Sequence, residues 1–120
     1  MPDWEDESQP LELRARAYID INCAHCHIPG AGCDYTPMNL AYNQTSSPIN
    51  LGVCVEPVDF VSGNQEYIIE KQDPFRSLLY FRIQTTIPAE MMPPVGRSFT
   101  HREGVQLIED YINSPEGTCP

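Results

Sequence analysis

The pentapeptide Cys23-Ala24-His25-Cys26-His27 carries the clearest chemistry in this sequence. Two thiols separated by two residues and followed at once by an imidazole fit C-x-x-C-H. In that pattern the thiols add across the two vinyl groups of a haem and the histidine meets the iron from below. The spacing has a physical reason: two intervening residues span the vinyl separation as a helical turn ends, and the adjacent histidine is carried under the ring plane. Two other chemistries use the same residue types. A redox dithiol wants its thiolate favoured by a helix N-terminus, whereas this motif follows a helical segment. A zinc site of Cys23, Cys26, His27 and either Cys33 or Cys54 has suitable donors but lacks a second closely spaced pair. Covalent haem attachment is the stronger reading, with one haem c held by Cys23, Cys26 and His27.

An iron held by His27 takes a second axial ligand from a distant, stiff segment, and Met92 in Met91-Met92-Pro93-Pro94 is the leading choice. A thioether is soft and neutral, favours reduced iron, and is pinned here by prolines. Methionine is more commonly core filler, and Met91, His101, Met38 or an open position remain the alternatives. His25 should point away from the ring. Arg76, Arg82 and Arg97 are choices for neutralising haem propionates, since a planar guanidinium matches a carboxylate; ordinary surface arginines are the plainer alternative. An open iron doing peroxide chemistry would need a distal acid–base pair. The nearest thing to one, His101-Arg102, is adjacent on a helix and faces two ways.

The elements that must position these groups are few. Leu11, Ala15, Tyr18, Ile19 and Ile21 recur with helical spacing, with Arg14 and Arg16 on other faces, so a helix over 11–21 runs straight into the cysteines. Residues 28–59 are crowded with Pro29, Gly30, Gly32, Pro37, Pro48, Gly52 and Pro57, which excludes long helices and leaves a loop with one short strand over 51–55. Loops of that length are usually functional or wrapped around something. Asp73-Pro74 marks a helix start, N-cap and first position, leading into a helix over 75–83. Thr100 and Glu103 form a capping box ahead of Val105, Leu107, Ile108, Tyr111 and Ile112, the last helix, which stops at Ser114-Pro115. Residues 1–10 read as an acidic lead-in or linker, and 11–120 as one domain.

Composition bounds the function. A chain of 120 residues makes one domain, and 12 prolines in it mean much loop around a modest core. Seventeen acidic against seven basic residues give a formal charge of −10, which argues against nucleic acid and makes a basic protein the natural partner, unless the acidity serves solubility alone. No run approaches the roughly 20 apolar residues of a membrane span. No signal peptide opens the chain, so an exported protein would have lost its signal or be cut from something longer. Five cysteines point to an oxidising compartment, periplasmic or otherwise exported.

The helix entering Cys23-Ala24-His25-Cys26-His27, the Met92-Pro93-Pro94 loop and a terminal helix around 104–112 together resemble the class I-like cytochrome c domains. The stretch from Ala15 through the motif to Ile28-Pro29-Gly30 is also similar to a subgroup found as the C-terminal haem module of larger bacterial exported proteins. The likeness covers residues 11 to 113 and rests on short motifs. It implies an all-α, cytochrome c-like fold with first and last helices crossing, Tyr18 near Tyr111 and Ile112, and long loops wrapped round one haem. It implies a carbonyl near Pro29 accepting from the ring nitrogen of His27. The function implied is electron transfer without catalysis, to a redox partner protein. The alternatives are a haem enzyme or gas sensor with an open sixth position, and a haem module with a structural role in a larger assembly. The insertion over 32–59 is longer than in the smallest members, and its Cys33 and Cys54 are extra. A Cys33–Cys54 disulfide would restrain that loop by roughly 3 kcal/mol, the alternative being two reduced, buried thiols. Cys119 is then odd.

Overall fold

The computed structural model describes residues 1–58, 65–87, 89–92 and 100–114. Every regular element among them is a helix: α1 (Leu11–Cys23), α2 (Pro48–Leu51), α3 (Leu78–Gln84) and α4 (Arg102–Asn113), with one 3₁₀ turn at Pro74–Arg76. None of these helices is long and apolar enough to cross a membrane. The strand expected over 51–55 is not formed. Leu51 closes α2, Gly52 ends it in the left-handed region at φ 96°, and Val53 makes only an isolated bridge to Ile69. Gly52 is required twice over there, because a Cβ would stand 2.5 Å from Ile68 Cγ2.

α4 buries Gly104, Leu107, Ile108, Tyr111 and Ile112, the i, i+3, i+4, i+7, i+8 set of a helix with one apolar face. α1 buries five consecutive residues, Ala15 to Ile19, so its middle is enclosed on several sides. Small alanines let neighbours approach, and Arg16 is buried as well. Its guanidinium donates to Thr45 Oγ1 at 3.0 Å and to the Tyr42 carbonyl at 2.8 Å, and lies 4.4 Å from the centre of the Tyr42 ring. One turn on, Asp20 accepts from the Tyr42 N–H at 2.9 Å. Arg16 is therefore no surface residue: it and Asp20 fasten the breaker-rich loop to α1.

α1 and α4 pack directly on each other, and Gly104 lets them do so. A Cβ at Gly104 would overlap the Tyr18 phenol, whose hydroxyl is bonded to His101 Nδ1 at 2.8 Å. Tyr18 thus meets the first turn of α4, with Tyr111 and Ile112 in the same buried cluster. Trp4 packs edge-on against both Tyr18 and His101, at 5.1 and 5.7 Å between ring centres, and its carbonyl accepts from Arg14 Nε. The lead-in over 1–10 is consequently docked through Trp4 where α1 meets α4.

Between the loop and α3, residues 67–69 act as a hub. Ile68 N–H reaches the Val55 carbonyl and Ile69 N–H that of Gly52, while the Tyr67 and Ile68 carbonyls receive Leu78 and Leu79 N–H. The segment read as one helix over 75–83 is split at Ser77. Its fully buried hydroxyl bonds back to Asp73 and Glu70, so Pro74–Arg76 forms a 3₁₀ turn before α3 begins, and Asp73 makes no side-chain cap. The Thr100/Glu103 capping box is also absent: Thr100 Oγ1 donates to the Gln84 carbonyl at 2.7 Å, tying the approach of α4 to the end of α3, and His101 occupies the cap position. At the other end of α4, Lys71 is buried. Its ammonium donates to the Tyr111 carbonyl at 2.6 Å and Ser114 Oγ at 2.7 Å, satisfying acceptors that a helix C-terminus leaves open.

Candidate functional site

α1 runs out at the motif. Cys26 and His27 N–H both turn back on the Cys23 carbonyl, at 3.2 and 3.1 Å, tightening the last turn. The chain then folds over itself: Cys33 N–H donates to the Cys26 carbonyl and Leu40 N–H to the His27 carbonyl, each at 2.9 Å. These two bonds hold the 33–40 segment against the motif and open a mostly apolar cleft beside it.

The cleft has a cavity volume of about 100 Å³, below the roughly 300–1,000 Å³ of cofactor sites, and opens to solvent. Cys23 and His27 line it from the motif, Thr36, Met38 and Leu40 from the folded-over segment, Leu79, Arg82 and Ile83 from α3, and Met92 from the far side of the sequence. Met92 is held by its N–H, which donates to the Arg82 carbonyl at 2.8 Å. Cys26 is not on the wall but stands beside it, its carbonyl accepting from the Cys33 N–H, and His25 is exposed.

Burial pushes the Cys23 thiol up to about 12, with Cys26 adding to it. The same two causes raise Cys33. A Cys23 thiol held protonated at the C-terminal end of a helix is a poor nucleophile, which removes support from the redox-dithiol alternative. Nor is zinc favoured, since no group of three or more His, Cys, Asp or Glu gathers among the described residues. His27 lies below the ordinary imidazole range, chiefly through burial, with His25 and Arg82 contributing. A neutral ring is the form that ligates metal.

Several sequence-based expectations change here. His27 Nδ1 meets Thr36 Oγ1 at 3.1 Å, not a carbonyl near Pro29, and Pro29 is exposed and off the cleft wall. The Cys33–Cys54 disulfide is not formed: Cys33 is a free thiol, as are Cys23 and Cys26, while Cys54 is disulfide-bonded to none of these three. The two lie in separate backbone settings: the Cys33 backbone is hydrogen-bonded to Cys26 and Thr36, whereas Cys54 is held at φ 60° with its N–H on the Ile69 carbonyl. Arg76 is paired with Glu66 and Glu70 at 3.2 and 3.3 Å, which leaves Arg82 as the arginine on the cleft wall among the described residues. Arg97, Pro93, Pro94 and Cys119 lie outside the described residues.

Of the rival axial ligands, His101 is engaged by Tyr18 and Glu103 and is not on the wall, and neither is Met91, whose N–H reaches back to the Ile87 carbonyl. Met38 is on it, together with Met92. By donor chemistry the residues present fit a haem: the Cys23 thiol on the wall with Cys26 beside it, a neutral imidazole, a thioether from another segment, and apolar walls between. Sequence reasoning missed Thr36, whose only prior signal was its place in the breaker-rich loop shortly after the motif. The chain matches no protein-family profile, no curated protein and no solved structure.

Proposed function

We propose that this chain is an electron-transfer domain with a cytochrome c-like arrangement, holding one haem c through Cys23 and Cys26 with His27 and Met92 as axial ligands. One observation carries the reading: Cys23 and His27 of the motif line the same apolar cleft as Met92, which comes from a distant part of the sequence. A bound haem would supply iron that takes up and gives off one electron. The chain's own contribution is to hold the ring away from water between α3 and the 33–40 segment. It also keeps His27 neutral and presents Arg82 for a propionate.

The acidic balance, −10 overall, suits a basic redox partner meeting the domain through a small, charge-steered contact. The disulfide at Cys54 agrees with maturation in an exported, oxidising compartment. The test is maturation in a host competent for c-type haem attachment, followed by acid-acetone extraction. Haem should stay with the wild-type polypeptide and be lost from the Cys23→Ala/Cys26→Ala pair. A colourless wild-type product, or one holding zinc, overturns the proposal. Carbon monoxide binding at neutral pH would replace the His/Met assignment by an open sixth position.

A further inference from the structure

We infer that Thr36 is the positioning residue for His27: its hydroxyl accepts the Nδ1 proton of the imidazole, which fixes the tautomer, aims Nε2 into the cleft and tunes how strongly the ring donates. The inference rests on the haem reading above and adds to it a residue that neither the motif nor the resemblance assigns.

A threonine hydroxyl has one proton, and Thr36 Oγ1 donates it to the Cys33 carbonyl at 2.9 Å. Toward His27 Nδ1, 3.1 Å away, the same oxygen then has only lone pairs to offer. Both contacts are satisfied together in one arrangement, with the proton on Nδ1 and the lone pair of a neutral ring on Nε2. That is the nitrogen a metal in the cleft would meet, and the opposite tautomer would set two acceptors against each other.

Thr36 is not free to drift from this role. Its N–H also returns to the Cys33 carbonyl at 3.2 Å, Cys33 N–H is fastened to Cys26, and Leu40 N–H to His27. The segment carrying the acceptor is thereby pinned to the motif on both sides of the histidine. A hydroxyl is a weaker acceptor than a peptide carbonyl, so the ring keeps less imidazolate character than it would with a carbonyl partner. Removing even this acceptor makes the ring a poorer donor and favours reduced iron.

The test compares haem-loaded wild type, Thr36→Val and Thr36→Ser by redox titration and by NMR of the His27 ring. Thr36→Val should move the oxidised/reduced equilibrium toward reduced iron by up to about tenfold, which for a one-electron couple is about 59 mV. Thr36→Ser should restore the wild-type value, because it keeps the hydroxyl and loses only the methyl. The wild-type ring should show a proton on Nδ1 protected from exchange, a readout available even where Thr36→Val is poorly folded. A loaded Thr36→Val protein with an unmoved potential, or a wild-type ring without that protected proton, overturns the inference. A wild-type product that never retains haem overturns the proposed function instead, so the two failures are told apart.

Discussion

Gly104→Ala puts the contact between α1 and α4 to a quantitative test. In an exposed helix this exchange would stabilise by up to about 1 kcal/mol, because alanine gives up less backbone freedom. Here the new methyl overlaps the Tyr18 ring, with Cε2 only 2.6 Å from the built Cβ. The ring has nowhere cheap to go, since moving it breaks the 2.8 Å bond to His101 and disturbs the edge contact with Trp4 at 5.1 Å. Overpacking of this kind costs about 1–3 kcal/mol, and the pinned ring puts the cost at the upper end. After the propensity gain, a net loss of about 2 kcal/mol remains, which for a domain of this size lowers Tm by on the order of 5–10 °C. Thermal unfolding followed by circular dichroism, at equal haem loading, reads the effect. A Tyr18→Leu background removes the ring, and there Gly104→Ala should cost nothing or stabilise, giving a coupling of about 2 kcal/mol. Equal cost in both backgrounds, or no cost in the wild type, refutes the reasoning.

Met92→Ala should abolish a low-spin His/Met spectrum while Met38→Ala keeps it; the reverse pattern hands the ligand role to Met38. Arg16→Met removes two charge-assisted bonds to the 42–45 loop and should cost about 3 kcal/mol, seen as a lower urea midpoint at unchanged slope. Tyr80 donates to Glu109 Oε1 at 2.8 Å, and burial, then that bond and charge, push its phenol up to about 12. The folded value is above the unfolded one of about 10, so the stabilisation is full below about pH 10 and lost as pH rises toward about 12. Tyr80→Phe should flatten that alkaline loss in urea unfolding across the same window. Alkylation of the denatured, unreduced, haem-loaded protein should label Cys33 and leave Cys54 unlabelled; label on Cys54 contradicts its disulfide.

The two long helices were legible because their signals are local. α4 repeats one apolar face from Gly104 to Ile112, and α1 ends where the motif begins. What the residue pattern hid were groups whose role depends on partners far along the chain. Arg16 looks solvent-facing until Tyr42 and Thr45 come to it, and Thr100 looks like a cap until the Gln84 carbonyl competes for its hydroxyl. The break at Ser77 has the same origin, since its hydroxyl binds Glu70 and Asp73 ahead of the good helix formers that begin at Leu78. At the cleft, the motif named Cys23 and His27 from spacing alone, and the paired methionines named Met92. Spacing could not name Thr36, because no local rule makes a loop threonine face an imidazole. It also misassigned Cys33, since two cysteines flanking a loop look like a pair whichever way their backbones are committed.

Lys71 is the sole lysine of the sequence, and its ammonium is closed in by the end of α4 and the face of Tyr111, 4.0 Å from the ring centre. Reagents that acylate amines therefore reach Lys71 only when that helix end opens. The rate at which Lys71 takes such a label is a clock for the loosening of that helix end, readable by mass spectrometry without introducing any foreign probe.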